Sequence, residues 1–205
     1  MEWHISCHER SRLHLIIILI VIAYHIFCEK QRSSQGGKEI MERKELLDAL
    51  VEHKLTISSM ESITGGLFAS TFTSIPGASN AFKGSAVTYQ DEVKESFGVK
   101  KETIEKYGAI SSQTAKEMAI KASEFFKSEV SVSFTGNAGP DAQEDKPVGM
   151  VFVSIRIKDK LYTYQLALKG EREAIRKQCV DFAFQTIYDK IKDANPVKTL
   201  DEQAR

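Results

Sequence analysis

Between residues 42 and 191 the chain alternates between helix-like and strand-like hydrophobic spacing, and this alternation limits it to a few architectures. Residues 42–53 (ERKELLDALVEH) set Leu46, Leu47, Leu50 and Val51 on one helical face. Leu55–Ser59 is a short β-prone run, followed by a polar, glycine-containing turn at 61–66. Leu67–Ser74 reads as a helix ended by Ile75-Pro76-Gly77. Residues 85–89 (SAVTY) suit a strand, and Asp91–Phe97 and 101–107 suit two short helices. Ser111 or Ser112 caps a helix to about Lys127, with Ala115, Met118, Ala119, Ala122, Phe125 and Phe126 as its buried stripe. Val130–Phe134 alternates as VSVSF, a strand pattern, and 135–149 is a Gly/Pro/Asp-rich loop. Met150–Ile157 and Leu161–Leu168 flank the Lys158-Asp159-Lys160 turn as a hairpin. Residues 171–191 form a long amphipathic helix carrying Ile175, Cys179, Phe182, Ala183, Thr186, Ile187 and Ile191. Helices alternating with strands, plus one hairpin, predict an α/β layer fold with a mixed sheet.

The first forty residues do not fit that pattern. Residues 13–27 (LHLIIILIVIAYHIF) are apolar, and 28–40 (CEKQRSSQGGKEI) read as a polar linker. Fifteen helical residues reach ~22 Å, short of a ~30 Å hydrocarbon core. Three readings stay open: a start at Met41 with 1–40 as upstream translation, a short membrane anchor through 13–27, or a secretion signal preceded by Arg10 and Arg12. The first makes the protein cytoplasmic and the second tethers it to a membrane. The expected organisation is therefore 1–40 as an appendage, 41–192 as the domain and 193–205 as a polar tail.

Lys plus Arg and Asp plus Glu both number 28, so no excess positive charge calls for a nucleic-acid partner. Cys7, Cys28 and Cys179 are far apart and fit no metal-ligand spacing, so they read as incidental or buried thiols, with no metal and no cofactor expected.

Four places can carry chemistry. Ser62, in Glu61–Gly66 (ESITGG), lies between a β-prone run and a helix, where exposed amides at Thr64, Gly65 and Gly66 suit an oxyanion or a phosphate. Simple capping by Ser62 or Thr64 is the plainer reading. Tyr89 and Lys94 bracket the next strand-to-helix junction, where a desolvated lysine can take a proton from a serine and a tyrosine can relay that proton or orient the nucleophile. A half-buried aromatic and a solvated charge are the plainer readings there. The Thr135, Gly136, Asn137, Ala138, Gly139 loop offers small residues and a hydroxyl to an anion. Arg172 and Arg176 share one face at the start of the last helix and can meet a phosphate or pair with Glu171 or Glu173.

The run LTISSMESITGG, IPGASNAFKGSAVTYQDEVKESFGV, YGAISSQTAKEMA and SFTGNAGPDAQEDKPVGMVFVSI resembles the CinA C-terminal domain family, the nicotinamide-nucleotide amidases, over about Arg43–Ile191. The resemblance implies a three-layer α/β domain, often a homodimer, that hydrolyses nicotinamide mononucleotide to nicotinate mononucleotide and ammonia without a metal. It puts the nucleophile on Ser62, its Y-x-x-E-x-K pair on Tyr89 and Lys94, its loop hydroxyl on Thr135, and an arginine on Arg172 or Arg176. Ile63 stands where the family has cysteine, Asn137 where it has an apolar residue, and Ala142-Gln143 where it has a glycine pair. Those departures keep two alternatives in view: a non-catalytic nucleotide-binding or scaffold domain, and an amidase for a related small amide.

Overall fold

The structure is a computed structural model and describes residues 43–194. The expectations for residues 13–27, Met41, Cys7, Cys28 and the tail from Asn195 lie outside the described residues.

Helix α1 covers residues 43–52, and Leu46, Leu47 and Leu50 are buried as their spacing predicts. Val51 is half exposed, at the margin of the stripe. The chain continues through β1 (Ile57–Glu61), α2 (Leu67–Thr73), a 3₁₀ turn (Ala78–Asn80) and β2 (Phe82–Val87). Then come α3 (Asp91–Ser96), α4 (Lys101–Tyr107), α5 (Ser112–Phe126), β3 (Val130–Gly136), β4 (Met150–Ile157), β5 (Lys160–Ala167) and α6 (Arg172–Ala194). The five strands form one sheet in the order β2-β1-β3-β4-β5. β1 pairs parallel with β2 and β3, whereas β4 runs antiparallel to both β3 and β5. The mixed α/β sheet predicted from the alternation is the one observed.

The two faces of β3 differ in chemistry. Val130, Val132 and Phe134 enter the main core with Leu46, Leu50, Phe68, Phe72, Ile175 and Ile187. Ser131 and Ser133 face α5 and are equally buried. Their hydroxyls donate to the helix carbonyls of Ala119 and Ala115, both at 2.6 Å. Alanines at those helix positions bring α5 close enough for the bonds, so the buried hydroxyls are satisfied. A smaller core on that side joins Met60, Val99, Ile104, Met118 and Ala122.

Several boundaries shift from the sequence reading. β2 begins at Phe82, so Thr88 and Tyr89 lie beyond its end rather than within it. β3 runs on through Thr135 and Gly136, which pair with Phe152 and Val151, so neither belongs to the following loop. Gly136 is required there because a Cβ would stand 2.7 Å from the Met150 carbonyl. Phe125 is 62% exposed and leaves the α5 stripe for an aromatic cluster with Phe97 and Phe126. Cys179 is buried in α6, its thiol donating to the Ile175 carbonyl at 3.0 Å.

This topology sets the place of a ligand site. From β1 the chain moves to β2 on one side, then returns to β3 on the other. The carboxyl ends of these three parallel strands therefore meet where the strand order reverses, the usual ligand position in such sheets.

Candidate active site

A cleft of about 250 Å³ opens at those strand ends. Its wall includes Ser62 after β1, Tyr89 and Asp91 after β2, Lys94 in α3, Thr135 and Gly136 in β3, and Arg172 at the start of α6. The structure thus gathers Ser62, Tyr89, Lys94, Thr135, Gly136, Asn137 and Arg172, seven of the residues singled out in the sequence, around one space.

Ser62 is held by its backbone. Its amide donates to the Phe134 carbonyl at 2.9 Å, continuing the β1–β3 ladder by one residue. Its carbonyl accepts from Gly65 at 3.1 Å, closing a turn in which Gly65 and Gly66 have φ of +57° and +92°. Side chains rarely adopt those angles, which accounts for the glycine pair. Ile63, the residue that departs from the family cysteine, packs into the main core.

The next three residues turn away from the cleft. Thr64 is fully buried, its Oγ1 has no hydrogen-bond partner among the described residues, and Gly65 and Gly66 are absent from the cleft wall. The first amides of α2 are not open to a ligand either. The Glu61 carboxylate accepts from Phe68 N at 3.0 Å and Ala69 N at 2.9 Å. Ser85 and Ser59 hydroxyls donate to the same carboxylate at 3.1 and 3.3 Å. Glu61 is therefore a buried cap for α2, and of the expected Thr64–Gly66 donors the Gly65 amide is spent on the Ser62 carbonyl. An acidic residue at a helix N-terminus was legible as a capping type, but its reach back from the preceding strand was not.

Lys94 is 1% exposed, although its DEVKE setting reads as a solvated face. Its ammonium donates to Asp91 Oδ1 at 3.1 Å and to the Tyr89 carbonyl at 3.2 Å. The Tyr89 hydroxyl is instead at the cleft mouth, accepting from Arg172 at 3.0 Å, and the residue is 54% exposed. Tyr89 and Lys94 thus meet through the Tyr89 backbone, and the Tyr89 hydroxyl, expected to relay a proton or orient the nucleophile, is bonded to Arg172.

The two arginines separate. Arg172 lines the cleft and also donates to the Gly139 carbonyl at 2.7 Å. Arg176 stands behind the turn, donating twice to the Thr64 carbonyl, at 2.6 and 3.3 Å, and pairing with Glu173. Arg172 is the one that can meet a ligand, and Arg176 braces the segment that carries Ser62.

On the far wall, the Thr135 hydroxyl donates to the Ala109 carbonyl at 2.7 Å, leaving its oxygen able to accept from a ligand. Asn137 is buried and spent on its own loop: its side chain accepts from Gly139 N at 2.9 Å and donates to the Lys146 carbonyl at 3.1 Å. Gly139 itself lies one step behind the wall, joined to it by Arg172. Sequence reasoning missed Glu144, which also lines the cleft. Its carboxylate accepts from the Ala109 and Ile110 amides at 3.0 and 3.1 Å, and Lys146 donates to the Ile110 carbonyl beside it. Among the described residues no group of three His, Cys, Asp or Glu side chains could hold a metal ion, and no helix is long and apolar enough to cross a membrane.

Comparison with known proteins agrees with this layout. The model of the CinA C-terminal domain matches residues 40–191. A CinA-like protein of Petrotoga mobilis is 45% identical over 149 residues, which are 72% of this chain and 37% of that protein. Another from Fervidobacterium nodosum is 44% identical over 142 residues, covering 68% of this chain and 35% of its own length. The chain thus spans little more than a third of the curated relatives it matches. Among solved structures, a competence-damaged protein (CinA) superfamily protein from Escherichia coli superposes with a TM-score of 0.70 at 30% identity, over 71% of this chain and 86% of that one. A competence/damage inducible protein from Agrobacterium tumefaciens gives the same TM-score and identity over 73% and 93%. With the family model matched across residues 40–191 and relatives 44–45% identical over more than two thirds of its length, this chain belongs to the CinA C-terminal domain family.

Proposed function

We propose that this domain hydrolyses the carboxamide of nicotinamide mononucleotide, giving nicotinate mononucleotide and ammonia. The observation that carries this reading is that Ser62 and a nearly fully buried lysine, Lys94, line the same cleft, together with Thr135 and Arg172. A serine is a weak nucleophile until a neighbouring base takes its proton, and a desolvated lysine is one such base. The cleft, at about 250 Å³, is near the lower end of small-molecule sites and suits the reacting ring with the rest of the nucleotide at the mouth.

In the proposed reaction Ser62 Oγ attacks the carboxamide carbon while Lys94 Nζ takes the hydroxyl proton. Lys94 returns that proton to the departing nitrogen and ammonia leaves. Water then attacks the Ser62 ester, giving a proton to Lys94, which passes it to the departing Ser62 Oγ as the carboxylic product leaves. Since Glu61 engages the first amides of α2, and the Ser62 and Asn137 amides donate to Phe134 and Met150, the oxyanion donors come from the remaining backbone on the cleft wall, at Ile63, Gly136 and Ala138. Arg172 leaves its contacts with Gly139 and Tyr89 for the 5′-phosphate, which a guanidinium can grip through two parallel bonds.

Ammonia release by the purified chain, compared across nicotinamide mononucleotide, the nucleoside and free nicotinamide, tests this. The mononucleotide should be the best substrate, and Ser62→Ala should abolish turnover. Wild-type turnover by Ser62→Ala would sink the nucleophile assignment, and binding without ammonia release would favour a nucleotide-binding scaffold instead. The same reading makes the protein a cytoplasmic homodimer, to be checked by sedimentation and by fractionation against tethering through residues 13–27.

A further inference from the structure

Asp91 has no part in the reading so far, yet it is the charged group nearest the proposed base. It opens α3, lines the cleft, and places Oδ1 3.1 Å from Lys94 Nζ. The second acceptor of Lys94 is the Tyr89 carbonyl at 3.2 Å. An ammonium has three N–H bonds, whereas a neutral amine has two and one lone pair. Two acceptors at hydrogen-bond distance take both N–H bonds of the neutral amine. The lone pair is then left for the cleft, whose wall Lys94 shares with Ser62.

We propose that Asp91 is the positioning residue of the Ser62–Lys94 pair. Its carboxylate, with the Tyr89 carbonyl, turns the Lys94 lone pair toward Ser62 and stabilises the ammonium that forms when the proton transfers. This rests on Ser62 as nucleophile and Lys94 as base. In the step itself Oγ forms its bond to the electrophile, the hydroxyl proton moves to Nζ, and Asp91 stays ionised. A base oriented by a third group is the general logic of such sites. The competing explanation is structural, because an acidic residue in a first helical turn favours the helix. Glu92 occupies the same turn and serves as the control.

The other ionisable groups on the cleft wall are Tyr89 from the β2–α3 segment, Glu144 from the loop after β3 and Arg172 from α6. All three stay constant across Asp91 variants, so a change in pH dependence reports the Asp91 charge.

A fluorophosphonate probe tests the proposal without presuming the natural amide. It phosphonylates an activated serine, fluoride leaves, and the hydroxyl proton goes to the base. The labelling rate of the full chain is followed against pH by intact mass, with peptide mapping to Ser62. In wild type the rate should rise with pH to a plateau. Asp91→Asn keeps an acceptor but loses the charge, so the midpoint should move to lower pH by about one unit. Asp91→Ala loses both, and its plateau should fall about 100-fold. For ammonia release, kcat should follow the plateau while KM holds, and Glu92→Gln should match wild type throughout. An unmoved midpoint and plateau in both Asp91 variants would overturn the assignment, as would Glu92→Gln reproducing their changes. Labelling of wild-type Ser62 with the expected Asp91 effects, but no ammonia from nicotinamide mononucleotide, would remove the substrate and leave Asp91 standing. No labelling of wild-type Ser62 would overturn both.

Discussion

Glu61→Gln should destabilise the domain by about 2 kcal/mol, and Glu61→Ala by about 4 kcal/mol. The carboxylate is fully buried and accepts from Phe68 N, Ala69 N, Ser85 and Ser59. Glutamine has the same shape but only one accepting oxygen. With that oxygen in the Oε1 position it keeps Ala69 N and both serines, and its NH₂ then faces the Phe68 amide. One charge-assisted bond is lost, at roughly 1.5–3 kcal/mol, and the Phe68 N–H and the new NH₂ are left facing each other without an acceptor, while cheaper burial of a neutral group offsets part. Alanine orphans both amides at roughly 1–3 kcal/mol each. It also leaves a cavity. Ser59 and Ser85 keep each other at 2.7 Å. Urea unfolding followed by circular dichroism measures both variants. At about 2–4 °C per kcal/mol for a domain of this size, Glu61→Gln should melt ~4–8 °C below wild type. Because Ser62 follows directly, kcat per folded molecule should fall as well. A Glu61→Gln variant within ~0.5 kcal/mol of wild type, the range of an ordinary surface change, would refute the capping account.

Other outcomes follow from single contacts. Arg176→Ala removes both bonds to the Thr64 carbonyl and should cost roughly 1–3 kcal/mol in chemical denaturation. Arg172→Ala should instead raise KM for the mononucleotide more than for the nucleoside, with stability little changed. Hydrogen bonds from the Thr56 hydroxyl and amide, at 2.6 and 2.8 Å, hold the Glu129 carboxyl below its usual range. Its folded value is the lower one, so its contribution is full above the unfolded value and is lost as pH falls through the folded value. Wild type should accordingly melt above Glu129→Gln at neutral pH, and the two should converge in acid. Burial pushes the Cys179 thiol up to about 12, so thiol reagents should modify it only after unfolding, as peptide mapping would show.

The elements were legible wherever hydrophobic spacing decides them. α4, β4 and the start of α2 fall where the periodicity puts them, since each depends on local apolar faces. The ends of β2 and β3 were not. Phe82–Gly84 carries little strand preference of its own, and pairing with β1 imposes the strand there. Thr135 and Gly136 have loop-like composition, yet the antiparallel partner β4 draws them into the ladder. The serine face of β3 misleads in a related way. Alternation normally signals one wet face, but Ser131 and Ser133 are buried because α5 offers them carbonyls.

At the site the same division between local and distant causes applies. Ser62, Thr135 and the pair Arg172 and Arg176 stood out by residue type and position beside an element end, next to plainer readings such as capping, and the family resemblance is what gave them roles. The partners that give each its role come from far along the chain or from the neighbouring element: Glu61 from the preceding strand, Arg176 from 112 residues away on Thr64, and Glu144 from 35 residues away on Ala109. Glu144 also bears on the altered loop. Where the family has a glycine pair, this chain has Ala142-Gln143, and a carboxylate two steps on clasps the 109–110 backbone. Gly108 leaves room for it, since a Cβ there would collide with that carboxylate. The cleft wall opposite Lys94 is thus shaped by a polar clasp between two segments. The loop side chains that reach that backbone thus shape this part of the cleft, while Ser62 and Lys94 are placed by the β1 and β2 ends they follow.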